Sequence, residues 1–344
     1  MDVPSDPHTS LANSYPTEVT IDTLNVCNAR CPFCPLFQGD SQMDRMRRPA
    51  QVMDQELYDR IFDELSRWDV KPSTITQCVN SETLQDPKIL VRLATIGRHG
   101  FGSVTRILTN GQFLSEKTAA ALLNAEIAQI MIGFDGATKD VYEAHRVRCD
   151  YERVLRNIKT FAVMRDRRSS KTKIWIKYVR TTDSQHEVSA AHQLFRGFLN
   201  PALDLFEDSL AIDWGDQPAQ NDELYFIHKA QESKRADKCS YLDPTLVIQP
   251  DGKIGACCWD YNLDISAGGF GDLREAGLLE IWRGQKRDAF RTNFKTGLNL
   301  PAKCASCIVI HDRIPVPPEI AKVDERYLVS TLATGFLYNF AGQA

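Results

Sequence analysis

Short strand-like stretches alternate with amphipathic ones along the first two thirds of the chain. EVTID (18–22) alternates apolar and polar residues with period two and predicts a strand. DQELYDRIFDELSRW instead repeats apolar residues every three to four positions, from Leu57 to Trp68, and predicts a helix with Asp54 as its N-cap. The same order then recurs. Further strands are predicted at 73–79, 103–111, 128–136, 173–179 and 203–206, with helices starting near 87 and 115 and spanning 138–168 and 187–199.

This order of strand, turn and helix predicts parallel strands joined by right-handed helical crossovers. The sheet is either an open doubly wound one or a curved, barrel-like one. In both, sites form at the carboxyl ends of the strands. The first cysteine loop and the stretches NSET, TNG and FDG all follow predicted strands, so we expect them to gather there.

The composition changes beyond Gly215. GDQPAQNDE is typical of a linker, and TLVIQPDGKIGACC predicts a hairpin that turns at Asp251-Gly252. Helical sequence at 273–294 leads to a pair of cysteines. We therefore expect a tail at 1–16, a main α/β domain at 17–215, a linker at 216–238, a small domain at 239–310 and a strap or helix at 311–344.

The charge and composition exclude several classes of protein. The 344 residues are 43% hydrophobic and 25% charged, as in ordinary soluble proteins, and the net charge of −4 disfavours nucleic acid or an anionic membrane as a partner. No basic segment followed by an apolar stretch opens the chain, and no apolar run is long enough to span a bilayer. We expect a cytoplasmic protein.

Ten cysteines are unevenly distributed along the chain. In a cytosolic protein thiols stay reduced, and clustered cysteines more often bind metal than form disulfides. One group is compact and the other is spread over the last third of the sequence. The first comprises Cys27, Cys31 and Cys34, and the second comprises Cys239, Cys257, Cys258, Cys304 and Cys307.

The first group has the spacing C-x3-C-x2-C, which suits a cubane iron-sulfur cluster because soft thiolates favour such clusters. With only three protein thiolates, one iron of a four-iron cluster stays open to an outside ligand. Zinc is the alternative, but it takes a fourth protein ligand in a structural site, and residues 35–51 contain no Cys or His.

With Phe33 just before the third cysteine, this motif resembles the hallmark of the radical S-adenosylmethionine (SAM) superfamily, and the resemblance runs from about Glu18 to Ile308. It implies a partial (β/α)6 TIM-like barrel and a [4Fe-4S] cluster whose open iron is chelated by SAM. Reductive cleavage of SAM then releases a 5'-deoxyadenosyl radical. A flavodoxin or ferredoxin is the implied electron donor.

Four further motifs are assigned from this resemblance. Glu82 in VNSETLQDP stands where the family has a Gly-Glu-Pro turn and is expected to accept a hydrogen bond from the SAM amino group. Asn110-Gly111 and Asp135 match the third and fourth strand ends, near the SAM ribose and carboxylate, and Arg146 matches an arginine that pairs with that carboxylate. The alternatives are a surface carboxylate for Glu82, a plain turn at Asn110-Gly111 and a solvated charge for Arg146.

The second group supplies four ligands, Cys239, Cys257, Cys304 and Cys307, which suit structural zinc as well as a cluster. Beside the first motif they resemble the twitch form of the SPASM domain, which implies one auxiliary [4Fe-4S] cluster. Cys258 is left over, because neighbouring residues of a strand point to opposite faces. We expect it either to return a hydrogen atom to a substrate radical, as a catalytic residue, or to be a small buried apolar group.

Only a short tail precedes the first strand, which favours a small substrate over a peptide. The whole chain resembles enzymes that modify sugars or aminocyclitols in nucleoside and aminoglycoside antibiotic biosynthesis, with decarboxylation, epimerisation or dehydrogenation as the outcome. The basic loop Arg45–Arg48, Lys177 and Arg180 either bind a substrate carboxylate or are solvated charges. Peptide modification and a non-catalytic iron-sulfur or zinc protein are the other hypotheses.

Overall fold

The computed structural model describes residues 15–34, 36, 46–211, 239–305 and 307, and the backbone of 328–332 and 335–339. Six of its strands follow one another in both sequence and space, each parallel to the next. These are β1 (Glu18–Ile21), β2 (Thr74–Gln77), β3 (Thr105–Thr109), β4 (Gln129–Gly133), β5 (Lys173–Arg180) and β6 (Leu205–Leu210).

This strand order decides between the two predicted sheet types. In a doubly wound sheet the order reverses partway, whereas here it never does between β1 and β6. Right-handed crossovers that always advance in one direction place their helices on one face, and the other face lines the interior. The predicted partial (β/α)6 barrel is confirmed.

Helices connect the successive strands and cover the outer face. Single 3₁₀ turns lie at Thr83–Gln85, Gly102–Val104 and Gln185–Glu187. The α-helices are α1 (Gln55–Arg67), α2 (Ile89–Arg98), α3 (Glu116–Asn124), α4 (Lys139–His145), α5 (Tyr151–Arg167) and α6 (Val188–Arg196). Strand isoleucines such as Ile75, Ile107 and Ile174 are fully buried, and each stabilises the fold by about 1.5–3 kcal/mol.

One predicted helix is two helices. The run expected from 138 to 168 breaks between α4 and α5, where Arg148 has a φ of 72° and Asp150 caps α5 by accepting a hydrogen bond from the Arg153 backbone N–H at 2.7 Å. An aspartate at an N-cap satisfies a backbone donor that would otherwise be orphaned. The break leaves Arg146 at the C-terminal end of α4, where it turns inward to the barrel.

The segment after Cys239 joins the barrel sheet. Strands β7 (Thr245–Ile248) and β8 (Ile254–Gly255) form the predicted hairpin, and Gly252 adopts a φ of 86° at its turn. In addition, β7 pairs in parallel with β1, from Glu18 opposite Thr245 onward. The sequence did not predict this pairing. The helices that follow are α7 (Leu278–Trp282), α8 (Gln285–Thr296) and α9 (Ala302–Ala305).

The last segment differs from the strap or helix expected at 311–344. Its described residues form β9 (Leu328–Leu332) and β10 (Gly335–Asn339), which are antiparallel to each other, and β10 is antiparallel to β6. Their sequences, LVSTL and GFLYN, contain the β-branched and aromatic residues that favour strands. The predicted linker at 216–238 and nearly all of the tail at 1–16 lie outside the described residues. None of the described helices is long and apolar enough to cross a membrane.

Candidate active site

A cavity of about 410 Å³ lies at the carboxyl ends of the barrel strands. Its volume is in the range of small-molecule sites. Most of the residues predicted for the first site line it. These are Cys27, Cys31, Phe33, Cys34, Glu82, Asn110 and Arg146. Gly111 and Asp135 do not line the cavity. Gly111 belongs to the same turn as Asn110, and Asp135 pairs with Arg146.

The cysteine loop follows β1 directly and is held by its own backbone. The Arg30 guanidinium donates to the carbonyls of Cys27 and Ala29 at 2.8 and 2.9 Å, and the Cys34 N–H donates to the Cys31 carbonyl at 3.0 Å. Arg30 also donates its backbone N–H to Val147 in the break between α4 and α5. The loop is therefore shaped before any cofactor binds.

Burial makes these thiols poor acids in the absence of metal. It raises the pKa of Cys31 to about 12, with Arg146 partly opposing the rise, and it raises the pKa of Cys27 well above its usual range, helped by the charge of Glu82. A thiolate is the metal-binding form, so ligation must release these protons. An apolar site of this kind suits a bound metal centre and disfavours free thiolates.

The ligand chemistry suits a cluster better than a single ion. Soft thiolates favour iron-sulfur centres, and Cys27, Cys31 and Cys34 all line one cavity. A structural zinc site takes four protein ligands, whereas this loop offers three. The three cysteines therefore suit three corners of a [4Fe-4S] cluster.

Glu82 is a buried carboxylate aimed into the cavity from the end of β2. Its Oε2 accepts from the Asn110 backbone N–H at 2.7 Å, and its Oε1 accepts from the Leu84 N–H at 3.0 Å and from the Thr109 hydroxyl. Burial raises the pKa of Glu82, although these hydrogen bonds oppose the rise. The surface-carboxylate alternative is wrong, since the residue is 2% exposed.

Arg146 reaches the cysteine loop from the end of α4. Its guanidinium pairs with Asp135, lies 5.5 Å from the centre of the Phe33 ring and approaches the Cys31 sulfur at 3.9 Å. It packs over Gly133, where a Cβ would overlap it. The solvated-charge alternative for Arg146 is therefore wrong.

Asp135 holds Arg146 and does not face the cavity. One of its oxygens binds the guanidinium, and the other accepts from the Val179 N–H at 2.6 Å. The carboxylate is completely buried. Asp135 therefore orients the arginine, and its expected position near the SAM ribose and carboxylate stays a prediction.

Asn110 and Gly111 form the turn that follows β3. The Asn110 side chain donates to Asn28 at 2.8 Å and accepts from the Gln112 N–H at 3.0 Å, so it ties this turn to the cysteine loop. Gly111 has a φ of 78°, which favours glycine. The residues do form a turn, and Asn110 also lines the cavity.

The second cysteine group surrounds the end of the β7–β8 hairpin. Cys239, Cys257, Cys304 and Cys307 are all partly buried, and the Cys307 N–H donates to the Cys304 carbonyl at 3.3 Å. Burial raises the pKa of both Cys239 and Cys257. As in the first group, buried thiols suit a metal centre.

Cys258 is buried beside this group and is not among the residues that line the cavity. Burial raises the pKa of its thiol, and the charges of Asp22, Cys307 and Cys239 add to the rise. These influences place Cys258 next to the auxiliary cysteines. This position fits the buried-group alternative better than the donor role.

Two aromatic sequence neighbours of these cysteines, Tyr241 and Trp259, line the cavity, with ring centroids 6.3 Å apart. The charges of Cys258 and Cys257, together with burial, raise the pKa of Tyr241, so its phenol also lies near the second group. Sequence reasoning missed both aromatics, although each stands within two residues of a predicted ligand.

Asn80 links the two sites across the sheet. Its side-chain amide donates to the Cys258 carbonyl at 2.7 Å and to Asp22 at 3.1 Å, and Asp22 also accepts from the Val79 N–H at 2.7 Å. Burial raises the pKa of Asp22, with the Val79 N–H as the main opposing influence. One amide thus connects β1, the end of β2 and the hairpin.

Replacing Asn80 with leucine should lower the free energy of unfolding by about 1–3 kcal/mol, because it leaves a buried carbonyl without its donor and a buried carboxylate with one donor fewer. Anaerobic thermal denaturation of the iron-loaded protein measures this. Asn124→Leu is the matched control, since it removes an exposed amide bonded to Arg168. An Asn80 variant as stable as the control would contradict the link.

The arginines expected to bind a substrate carboxylate are engaged with the protein itself. Arg48 pairs with Asp251 and donates to Gln249 at 3.0 Å. Arg180 donates to Asp208 at 2.9 Å, on the face of β5 opposite to Lys177, because strand residues alternate. The solvated-charge alternative does not fit these two residues, and their pairing with protein carboxylates does not favour the carboxylate-binding hypothesis. Arg45 lies outside the described residues.

The partial barrel, the three cysteines at one apolar cavity and the buried Glu82 define a radical SAM enzyme. The comparisons agree. A family model described as the radical SAM superfamily matches residues 21–171, and one described as an iron-sulfur cluster-binding SPASM domain matches residues 239–308. Together they span more than half of the chain, which belongs to the radical SAM superfamily and carries a SPASM domain.

Several solved structures share this fold. BtrN in complex with AdoMet and 2-DOIA has a TM-score of 0.52 at 17% identity, with 82% of this chain and 88% of BtrN covered. The enzyme anSMEcpe with bound AdoMet has a TM-score of 0.57 at 13% identity, with 86% of this chain and 84% of anSMEcpe covered. Streptococcus suis SuiB bound to precursor peptide SuiA has a TM-score of 0.59 at 14% identity, with 90% of this chain and 76% of SuiB covered. A comparison with curated protein sequences found no match.

The cofactors follow from these domains. The radical SAM domain implies a [4Fe-4S] cluster used with SAM, and the SPASM domain implies auxiliary iron-sulfur chemistry. The residues present fit both groups, because Cys31 is buried, the other six assigned cysteines are partly buried, and each set offers the soft thiolates that iron-sulfur clusters take as ligands.

Proposed function

We propose that this radical SAM enzyme abstracts hydrogen from a sugar-type intermediate, such as a nucleoside, aminoglycoside or aminocyclitol, leading to decarboxylation, epimerisation or dehydrogenation. The observation that carries the proposal is the single cavity shared by the cysteine loop, Glu82 and Arg146. Its volume of about 410 Å³ suits a small ligand.

The chain's own residues take separate roles at this cavity. We assign Cys27, Cys31 and Cys34 to the cluster, Glu82 to the amino group of SAM and Arg146 to its carboxylate. Asp135 keeps Arg146 charged and oriented, while Phe33, Asn110 and Gly111 shape the loop and turn around them. When bound, the cluster and SAM supply a 5'-deoxyadenosyl radical. The apolar walls exclude water from it.

At the second site we assign Cys239, Cys257, Cys304 and Cys307 to one auxiliary [4Fe-4S] cluster. Tyr241 lines the cavity and is influenced by Cys257 and Cys258, and this closeness supports a redox role of such a cluster toward the substrate radical. Loss of one electron and one proton after hydrogen abstraction from a carbinol carbon yields a ketone, the dehydrogenation outcome. A flavodoxin or ferredoxin is the proposed electron donor to the first cluster.

Two solved structures point to different substrate classes. BtrN was crystallised with 2-DOIA, and SuiB with its precursor peptide SuiA. Modification of a ribosomal peptide is therefore the second candidate function. It predicts that a peptide encoded near this protein, and no sugar, stimulates SAM cleavage.

The experiment is an assay of the anaerobically reconstituted protein with SAM, dithionite and deuterated candidate substrates. We expect 5'-deoxyadenosine to form and to gain deuterium from a sugar-type compound. Deuterium gained only from a peptide would favour the second candidate. A protein that binds iron but forms no 5'-deoxyadenosine would contradict both and favour a non-catalytic iron-sulfur protein.

Replacing Cys258 with alanine tests its role separately. Because its thiol lies beside the auxiliary cysteines and outside the cavity lining, we expect the variant to form product at a rate within about twofold of the wild type. Product is measured by mass spectrometry alongside 5'-deoxyadenosine. Continued SAM cleavage with loss of product would instead establish Cys258 as the hydrogen donor.

A further inference from the structure

The cavity has a polar wall that the assigned cofactor residues do not use. Lys177 and Val179 of β5 and Glu207 and Ser209 of β6 line it side by side. The strands pair with Lys177 opposite Glu207 and Val179 opposite Ser209. Alternate residues of a strand share one face, so these four face the barrel interior together.

The polar side chains of this wall form one connected group. The Lys177 ammonium lies 2.8 Å from Glu207 Oε1, and the Ser209 hydroxyl donates to the same oxygen. An ammonium has three donors and a carboxylate has about four acceptor sites. The contacts within the group use one donor and two acceptor sites. Donor and acceptor capacity therefore remains, at neighbouring positions, for a ligand.

The group contains one positive and one negative side chain, so it has no net charge. Burial alone would raise the pKa of Glu207, but the charge and hydrogen bond of Lys177, with help from Ser209, outweigh it and lower that pKa. The carboxylate is thus ionised at neutral pH and balances the ammonium. Because Lys177 is already paired, the expectation that it binds a substrate carboxylate is not favoured. A neutral wall best complements a neutral ligand with both donors and acceptors.

The remaining surfaces of the cavity are apolar or aromatic. Leu108, Met131 and Val179 line the barrel side, and Tyr241 and Trp259 line the side toward the auxiliary cysteines. A ring that carries hydroxyl groups on its edge and C–H groups on its faces matches this combination of one hydrogen-bonding wall and apolar faces. A charged peptide side chain would find no opposite net charge on this wall.

We propose that Lys177, Glu207 and Ser209 bind two neighbouring hydroxyl groups of a cyclic polyol substrate, Lys177 donating to one oxygen and Glu207 accepting from the other hydroxyl. This assignment rests on the proposed function and specifies the substrate class of the same cavity. An amino group in place of the second hydroxyl also fits Glu207 in its uncharged form, which is likewise a donor.

A purely structural role is the competing explanation, because Lys177 and Glu207 also tie β5 to β6. The charge-exchanged double variant Lys177→Glu/Glu207→Lys separates the two. It keeps an ion pair between the strands but reverses which strand donates and which accepts. A structural pair tolerates this exchange, whereas a binding site does not.

The experiment measures 5'-deoxyadenosine formed by the cluster-loaded enzyme with SAM and dithionite. The probes, added separately, are myo-inositol, 2-deoxystreptamine, uridine, glucuronate and a lysine-containing octapeptide. The variants are Lys177→Met, Glu207→Gln, Ser209→Ala and the exchanged pair. Lys139→Met is the control, since Lys139 forms an exposed ion pair with Glu143 on α4 and does not line the cavity.

We expect at least one of the hydroxylated uncharged or amino probes to stimulate the wild type and the control. The Lys177, Glu207 and exchanged variants should lose about tenfold or more of that stimulation, equivalent to about 1.4 kcal/mol. Ser209→Ala should lose less. The dissociation constant of SAM should stay within about twofold in all of them, because the assigned SAM partners are Glu82 and Arg146, and the control Lys139→Met should also keep the probe-free rate.

Stimulation only by glucuronate or the peptide, or by no probe, would overturn the assignment. So would full activity of the exchanged variant, or a parallel loss of SAM affinity, which would place the group in the SAM site. Absence of 5'-deoxyadenosine from the wild type both without a probe and with every probe is a different result. It would overturn the proposed function itself, and this assignment with it.

Discussion

Replacing Cys31 with serine should abolish SAM cleavage, with a loss of at least about a thousandfold in the rate of 5'-deoxyadenosine formation. Cys31 is 6% exposed and lies beside Arg146 at the centre of the cysteine loop. Serine keeps the size but offers a hard oxygen in place of the soft thiolate that iron-sulfur clusters require. Iron content and the electron paramagnetic resonance of the reduced protein would report the loss of one cluster.

Cys78→Ser is the matched control for this variant. Cys78 is also buried, accepts from the Thr23 N–H at 3.3 Å, and lies outside both cysteine groups. Serine can accept the same hydrogen bond, so iron content and SAM cleavage should persist. If Cys31→Ser kept the full iron content and cleaved SAM, the N-terminal cysteines would not hold the catalytic cluster.

Replacing Arg146 with methionine should have two effects that can be measured apart. It leaves the Asp135 carboxylate, which is completely buried, without its counter-charge, and we expect a loss of about 3–5 kcal/mol in the free energy of unfolding. It also removes the proposed partner of the SAM carboxylate. A charge-assisted hydrogen bond is worth about 1.5–3 kcal/mol, so SAM should bind about tenfold to a hundredfold more weakly.

The double variant Arg146→Met/Asp135→Asn separates these effects. Neutralising Asp135 removes the uncompensated buried charge, so most of the stability should return, while the affinity for SAM should not. Thermal denaturation and equilibrium binding of SAM give the two readings. Recovery of SAM affinity together with stability would show that Arg146 acts only by holding the fold.

The sequence predicted the alternation of strands and helices because both carry strong periodic patterns. Periodicity could not choose between an open sheet and a barrel, since the choice depends on strand order, which is a long-range property, and the barrel was implied only by the resemblance of the cysteine motif to a known family. It also missed the pairing of β7 with β1, which joins residues more than two hundred positions apart. Short strands of this kind carry no local sign of their partner.

At the site, the sequence predicted the residues whose role follows from a short motif, such as Cys27, Cys31 and Cys34. The roles of charged residues were harder to predict because they depend on partners. The sequence placed Asp135 near SAM but could not show that its partner is Arg146, and it left Arg180 as either a substrate ligand or a solvated charge without revealing that it pairs with Asp208. The break that brings Arg146 inward follows from Arg148 and Asp150, which a continuous helical pattern concealed.

The position of Cys258 shows a similar limit. Alternation along a strand correctly separates it from Cys257 but does not say which cavity either thiol faces. In the structure the Cys258 thiol is buried, outside the cavity lining, where the charges of Cys239 and Cys307 act on it. The local pattern also does not encode the hydrogen bond from Asn80 to the Cys258 carbonyl or the presence of Tyr241 in the cavity wall.

The central claim is that one iron of the N-terminal cluster has no protein ligand and binds SAM. Mössbauer spectroscopy of the ⁵⁷Fe-loaded Cys257→Ala variant, which we expect to lack the auxiliary cluster, tests it most directly. We predict that adding SAM gives one iron of the cubane a spectrum distinct from the other three. Four irons that stay equivalent and unchanged with saturating SAM would contradict the account.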